Sequence, residues 1–293
     1  MAEIITSAQN PKIKRLLALQ QKSSERRDSG LFVVEGIREL KHCIEAGYEV
    51  DSIFVRKDDG LSSEQIRSSI RVDMHPCRWE GPAEREGSCP FEAPVCSIDE
   101  RTVRIFEVSA AVYEKIAYRG STEGVIAEVK AKMRTLSDLR LGENPLVAVL
   151  ESVEKPGNLG AVLRSADAAG ADAVIICDPL TDLYNPNLIR ASIGGIFSVP
   201  CVACSSEEAI GFLKNNGIQI LTAQLQDSSL YYDRDMAKGT AIVMGTESTG
   251  LTDIWREAAD AHIRIPMLGR LDSLNVSVSA AILLFEAVRQ RNG

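Results

Sequence analysis

From residue 146 onward, short apolar runs alternate with helical patterns, and this alternation constrains the fold more than any other feature. Strands are expected at Leu146 to Leu150, Ala173 to Cys177, Ser198 to Val202, Gln219 to Ala223 and Ala241 to Met244. Helices are expected at Leu159 to Ala169, Pro186 to Gly194 and Glu207 to Asn215. Val-, Ile- and Leu-rich runs separated by helices predict a mostly parallel sheet covered on both faces. A short apolar strand, Ile263-Arg264-Ile265, ends at Pro266, and an apolar helix over Ala280 to Val288 follows a polar turn.

Upstream of residue 130 the pattern is that of a smaller α/β module. A helix is expected from about Pro11 to Gln21, with Asn10 as its cap and Pro11 in its first turn. Leu31 to Val34 reads as a buried strand, Arg38 to Ala46 as a helix stopped by Gly47, and Val50 to Val55 as a second strand. Residues 61–72 suggest a helix, Val103 to Val108 a strand or a helix start, and Val125 to Val129 a strand. The polar stretch 130–145, ending in Pro145, is expected to be a linker. Domains are therefore drawn at 1–135 and 145–293, with an irregular insertion at about 73–97.

Composition excludes several classes. A chain of 293 residues with 45% hydrophobic and 25% charged residues is ordinary globular material. It has no apolar run of about 18 residues and no basic start leading into an apolar core, so neither a membrane span nor a signal peptide is expected. The expected location is the cytoplasm. Seven cysteines, an odd number, favour reduced thiols over a disulfide framework. The insertion carries His75, Cys77, Cys89 and Cys96, but their spacing matches no common zinc template, and no metal is expected. Cys201 and Cys204 form a CxxC. With no helix start expected to activate either thiol, they read as buried structural cysteines. The net charge is −8, yet residues 1–41 hold eight Lys/Arg against five Asp/Glu, including Lys12, Lys14 and Arg15. On composition alone that run is a solvated helix face.

Three motifs carry chemistry. Pro156-Gly157-Asn158-Leu159-Gly160 follows a buried strand and opens a helix that carries Arg164. Gly245-Thr246-Glu247-Ser248-Thr249-Gly250 follows another strand, at the end where open α/β sheets bind ligands. Ser273-Leu274-Asn275-Val276-Ser277-Val278 places hydrogen-bonding side chains where a helix, with its free backbone N–H groups, begins. Each alone also fits an ordinary capped or glycine-rich connection. The glycine spacing is not that of a dinucleotide fingerprint, which argues against a nucleotide-dependent oxidoreductase.

Together and in this order, the three motifs resemble the SpoU (TrmH) family of RNA ribose methyltransferases, within the SPOUT superfamily. Tyr184 to Ser192 and Gly195-Ile196-Phe197 also look familial, as does Phe32-Val33-Val34-Glu35-Gly36 ahead of them. One departure is Thr246, where the second motif more often carries Asn. The resemblance implies a C-terminal α/β domain with a deep trefoil knot, preceded by a smaller α/β substrate-binding domain. It implies that S-adenosylmethionine is held by backbone groups of Gly245, Ile265 and Leu274, and that the protein is a homodimer through its catalytic domain. It implies methylation of a ribose 2′-hydroxyl, with ribosomal RNA as the expected substrate. Transfer RNA, or a non-catalytic RNA-binding role, is the alternative. Arg164 is then the main catalytic residue, with Asn158, Glu247, Ser273 and Asn275 orienting it and the ribose. In this family the arginine is sometimes described as the base. A guanidinium is effectively never deprotonated in proteins, so gripping a phosphate and polarising the 2′-oxygen is the alternative role. An RNA substrate gives Lys12, Lys14 and Arg15 a candidate role as phosphate contacts.

Overall fold

The structure, a computed structural model, describes residues 3–57, 103–118, 124–246 and 249–293. The expected helix over 61–72, the insertion at 73–97 and Glu247 lie outside the described residues. The chain forms two compact units. The first comprises described residues up to 133 together with 184–194, and the second comprises 134–183 and 195–293.

The first unit is built on five strands: β1 (Glu3–Ile5), β2 (Leu31–Glu35), β3 (Val50–Arg56), β4 (Arg104–Val108) and β5 (Val125–Lys130). Their order is β1-β4-β3-β5-β2. β4 lies parallel to both β1 and β3, whereas β5 runs antiparallel to β3 and β2. α1 (Pro11–Gln21) starts where Asn10 Oδ1 accepts the Lys12 N–H at 2.9 Å. It buries Ile13, Leu16 and Leu19, which share a core with Phe54, Val108 and Tyr113. α2 (Ser23–Ser29), α3 (Ile37–Glu45) and α4 (Ala110–Ile116) complete the N-terminal part. Neither α2 nor α4 is predicted by apolar periodicity, because each is two turns long or less.

The chain returns to this unit at α5 (Pro186–Ala191). Tyr184 stacks on Phe32 with ring centroids 4.3 Å apart. Its hydroxyl accepts the Lys132 N–H at 2.9 Å and donates to the Lys132 carbonyl at 2.7 Å. Arg190 pairs with the buried Glu35 at 3.4 Å. The first unit is thus made of two stretches of the described chain, residues up to 133 and residues 184–194. The single helix expected over 186–194 is not formed. Ile193 and Gly194 take positive φ values of 54° and 81°, which end it.

The second unit holds seven strands: β6 (Leu146–Glu151), β7 (Ala173–Cys177), β8 (Cys201–Cys204), β9 (Gln219–Ala223), β10 (Ser229–Leu230), β11 (Thr240–Met244) and β12 (Ala261–Arg264). Their order is β10-β12-β9-β11-β6-β7-β8, and every neighbouring pair is parallel. The helices between are α6 (Pro156–Ala168), α7 (Gly195–Ser198), α8 (Ser206–Asn215), α9 (Asp253–Ala258) and α10 (Val276–Arg291). Val147, Ile175, Val202 and Val243 pack with Leu213 of α8 and Trp255 of α9. α6 and α10 pack on each other, and α10 also meets β11 and β6. The predicted parallel sheet is thus present, but residues 195–198 are helical and β8 starts only after Pro200. β12 likewise stops at Arg264, two residues ahead of Pro266, which has no N–H to continue a ladder.

Candidate functional site

The three motifs all belong to the second unit, where strand ends give way to loops. After β11, the chain turns at Gly245 into a loop closed by a bridge between Thr246 and Gly250. The Thr246 N–H reaches the Gly250 carbonyl at 3.3 Å, and the Gly250 N–H returns to Thr246 at 3.1 Å. A Cβ on Gly245 would overlap the Gly250 carbonyl group and stand 2.6 Å from the Leu251 nitrogen. Only glycine allows this closure. Thr246 Oγ1, in the place where Asn is more frequent, accepts the Thr249 N–H at 3.0 Å and contacts the Thr249 hydroxyl at 2.7 Å. The threonine therefore braces its own loop.

The far end of this loop is tied to β6 by a residue that the motifs did not flag. Glu151 is 3% exposed at the carboxyl end of β6. It accepts the Thr252 N–H at 2.9 Å and the Thr252 hydroxyl at 2.5 Å. A charged residue closing an otherwise apolar strand was the available signal. Glu151→Ala leaves the Thr252 amide without its acceptor and is expected to destabilise the protein by about 1–3 kcal/mol. Urea denaturation monitored by circular dichroism checks this; an unchanged midpoint contradicts it.

The first and third motifs meet. Asn158 is the third residue of α6, and Asn275 caps α10 by accepting the Ser277 N–H at 3.0 Å and the Ser277 hydroxyl at 2.6 Å. The Asn275 side-chain amide donates to Asn158 Oδ1 at 3.1 Å. The helix thus starts at Val276, four residues earlier than apolar periodicity places it, because Asn275 supplies the cap. Ser273 and Leu274 lie just ahead of this cap on an exposed stretch. Ile265 is half-buried just beyond β12. No hydrogen bond joins the backbone of residues 265–274 to any other described residue. Backbone donors and acceptors of Ile265 and Leu274 are therefore available to the edge of a nucleobase, which fits the expected cofactor. Arg164 projects from α6 into solvent, with no hydrogen bond or ion pair to another described residue. The structure joins Asn158 to Asn275, whereas among the described residues neither Arg164 nor Ser273 hydrogen-bonds to either of them.

The predicted phosphate contacts lie on α1 of the first unit and differ in availability. Arg15 is paired with Glu128, which is fully buried, and with Asp51 at 3.3 Å. Glu128 also accepts from the Ser52 hydroxyl at 2.7 Å. Lys12 pairs with Glu3 at 2.5 Å and lies over the Phe106 ring, 4.3 Å from its centroid. Arg15 is therefore engaged by carboxylates within the first unit while its side chain stays 37% exposed. Lys14 is the exposed cation of the three.

The CxxC is not a dithiol pair in space. Cys201 and Cys204 are three residues apart on β8 and so face opposite sides of the sheet. Cys201 is buried, and burial pushes its thiol up to about 12. Among the described residues no group of three or more His, Cys, Asp or Glu could hold a metal ion. No described helix is long and apolar enough to cross a membrane.

Two family descriptions match the chain: the SpoU rRNA Methylase family over residues 145–285, and an MRM3-like substrate binding domain over residues 10–78. A putative TrmH family tRNA/rRNA methyltransferase of Staphylococcus saprophyticus is 36% identical, over 89% of this chain and 96% of its own. Among solved structures, an RNA 2′-O ribose methyltransferase superposes with a TM-score of 0.77 at 36% identity, covering 99% of this chain and 100% of the other. An AdoMet-bound rRNA methyltransferase from Sinorhizobium meliloti does so with a TM-score of 0.81 at 26% identity, covering 98% of each chain.

Proposed function

Because this chain belongs to the SpoU (TrmH) family of RNA methyltransferases, we propose that it transfers a methyl group from S-adenosylmethionine to a ribose 2′-hydroxyl, with ribosomal RNA as its substrate. The observation that carries this reading is the Asn275–Asn158 hydrogen bond, which joins the first and third motifs at one place in the fold. The S. meliloti relative, described as an AdoMet-bound rRNA methyltransferase, supports both the cofactor and the RNA class. The S. saprophyticus relative, described as acting on tRNA/rRNA, keeps transfer RNA as the alternative.

When bound, S-adenosylmethionine supplies an electrophilic methyl carbon on a sulfonium. The protein's part is then to position the 2′-oxygen and to handle its proton. Backbone groups of Gly245, Ile265 and Leu274 hold the adenine. Asn158, Glu247, Ser273 and Asn275 orient Arg164 and the ribose. Arg164, a fixed cation with a planar fork, grips the adjacent phosphate and polarises the 2′-oxygen, while the hydroxyl proton leaves to water or to a neighbouring acceptor.

We assign RNA binding to residues 1–135 and catalysis to residues 145–293, with the C-terminal chain forming the family's trefoil knot. The protein works as a homodimer in the cytoplasm. Val278 and Phe285 are 46% and 47% exposed on α10 at a spacing of seven residues, an apolar stripe suited to a partner copy. Light scattering is expected to give about twice the chain mass of 31.9 kDa.

Mapping 2′-O-methyl sites in RNA from cells with and without the gene tests the reaction. One site missing from ribosomal RNA is the expected result. A site missing from transfer RNA selects the alternative, and no missing site favours a non-catalytic RNA-binding protein. Lys14→Gln is expected to weaken RNA binding and lower the slope of log K against log salt by about one. An unchanged slope makes Lys14 a solvated surface residue.

A further inference from the structure

Cys204 and Cys177 form a pair that the methyl-transfer reading does not use. They are register partners on the parallel strands β8 and β7, so both side chains stand on the same face. Neighbouring strands lie about 4.8 Å apart, within the Cα separation that disulfides accept. Both side chains belong to one packed cluster, Cys177 inside it and Cys204 against its edge. Cys177 is buried, whereas Cys204 is half-buried and lines a hollow of about 460 Å³ with Arg134, Thr135, Glu207 and Phe212. Cys204 also stands one residue ahead of Ser205, which caps the ten-residue helix α8. A helix start therefore does adjoin this thiol, contrary to the sequence reading.

We propose that Cys204 is a thiol modification site for small hydroperoxides, with Cys177 as its resolving partner. The neighbouring Cys177 thiol and the adjacent helix start favour the Cys204 thiolate, whereas burial and the carboxylates of Glu208 and Asp178 oppose it. The Cys204 thiol beside it, together with burial, pushes Cys177 up, so Cys177 keeps its proton until the peroxide has reacted. The Cys204 thiolate attacks the peroxide, the O–O bond breaks, and hydroxide leaves as Cys204 becomes a sulfenic acid. The hydroxide released takes the Cys177 proton as water, and the Cys177 thiolate then displaces the sulfenic oxygen. An S–S bond forms, and that oxygen leaves as hydroxide. The thiols lose two electrons and the peroxide gains them. Cys201, on the opposite face and buried, is excluded from both steps.

The site borders the candidate active site. In the register, Cys177 pairs with Glu151 on its other side, and Glu151 holds Thr252 at the end of the Gly245 loop. The Cys177 carbonyl accepts the Ser152 N–H at 2.9 Å. The modification does not depend on the methyl-transfer assignment.

The test is treatment of the full-length protein with hydrogen peroxide, followed by non-reducing peptide mapping. The expected product is a Cys177–Cys204 cross-link with a loss of about 2 Da for the two hydrogens removed, reversed by dithiothreitol. Cys177→Ala is expected to leave a Cys204 sulfenic acid that dimedone traps, and Cys204→Ala is expected to give neither product. The proposal is overturned if peroxide-treated wild-type protein shows no such cross-link and Cys204 still takes up iodoacetamide. It is equally overturned if dimedone labels Cys204 as fully in the wild type as in Cys177→Ala. Because the wild-type map decides the matter alone, a folding defect in either variant does not obscure the outcome.

Discussion

Arg164→Ala is expected to lower the rate of methyl transfer by about 10²–10³-fold, the usual cost of removing one preorganised charge-stabilising group. Arg164 is exposed on α6 and bonded to no other described residue, so its removal disturbs no packing. Stability is therefore expected to stay within about 0.5 kcal/mol of the parent protein. This combination separates a chemical role from a structural one. Arg164→Lys keeps the charge but loses the planar fork that bonds a phosphate through two N–H groups, and it is expected to recover only part of the rate. Single-turnover kinetics on the identified RNA measure the loss. Full activity in Arg164→Ala would remove both the base and the phosphate-gripping versions of the role.

Gly245→Ala is expected to act on cofactor binding rather than on chemistry. The new methyl group would occupy the space of the Gly250 carbonyl and stand 2.6 Å from the Leu251 nitrogen. These are backbone atoms, so the collision cannot be relieved by rotating a side chain. The Thr246–Gly250 bridge must open or move, and with it the Thr252 contact to Glu151. Overpacking of this kind costs about 1–3 kcal/mol. If the native loop shape is needed to hold S-adenosylmethionine, that strain weakens binding by roughly 5–150-fold. Calorimetric titration with S-adenosylmethionine is the measurement. A Kd equal to that of the parent protein would mean that the loop does not contribute to the cofactor site.

The two variants probe different links of one chain. Arg164 presents a charge to the substrate, while Gly245 shapes the backbone that receives the cofactor. Glu151 stands behind the second of these and was found only from its contacts. Its neighbours in sequence are apolar strand residues, and nothing local says that its carboxylate meets Thr252, 101 positions later. Asn275 was legible as a helix-start residue, because a capping side chain acts two residues away along the chain. Its donation to Asn158, across 117 positions, was not.

Local pattern determined most of the scaffold. Apolar runs and turn residues mark where strands begin and end, and Asn10 with Pro11 announces a helix, because these preferences act within a few residues of one another. Motif order by itself pointed to the family. Tertiary structure alone decided which side chains are available for work. Arg15, one of three cations close together in sequence, is held by a buried carboxylate from β5 and by Asp51 of β3. Residues 184–194 belong to the N-terminal unit although they lie between strands of the second. Cys204 finds Cys177 on the next strand rather than Cys201 on its own, because side chains alternate along a strand while register partners share a face. Each of these facts depends on strand order and packing between distant segments, and the periodicity of a single segment carries no information about them.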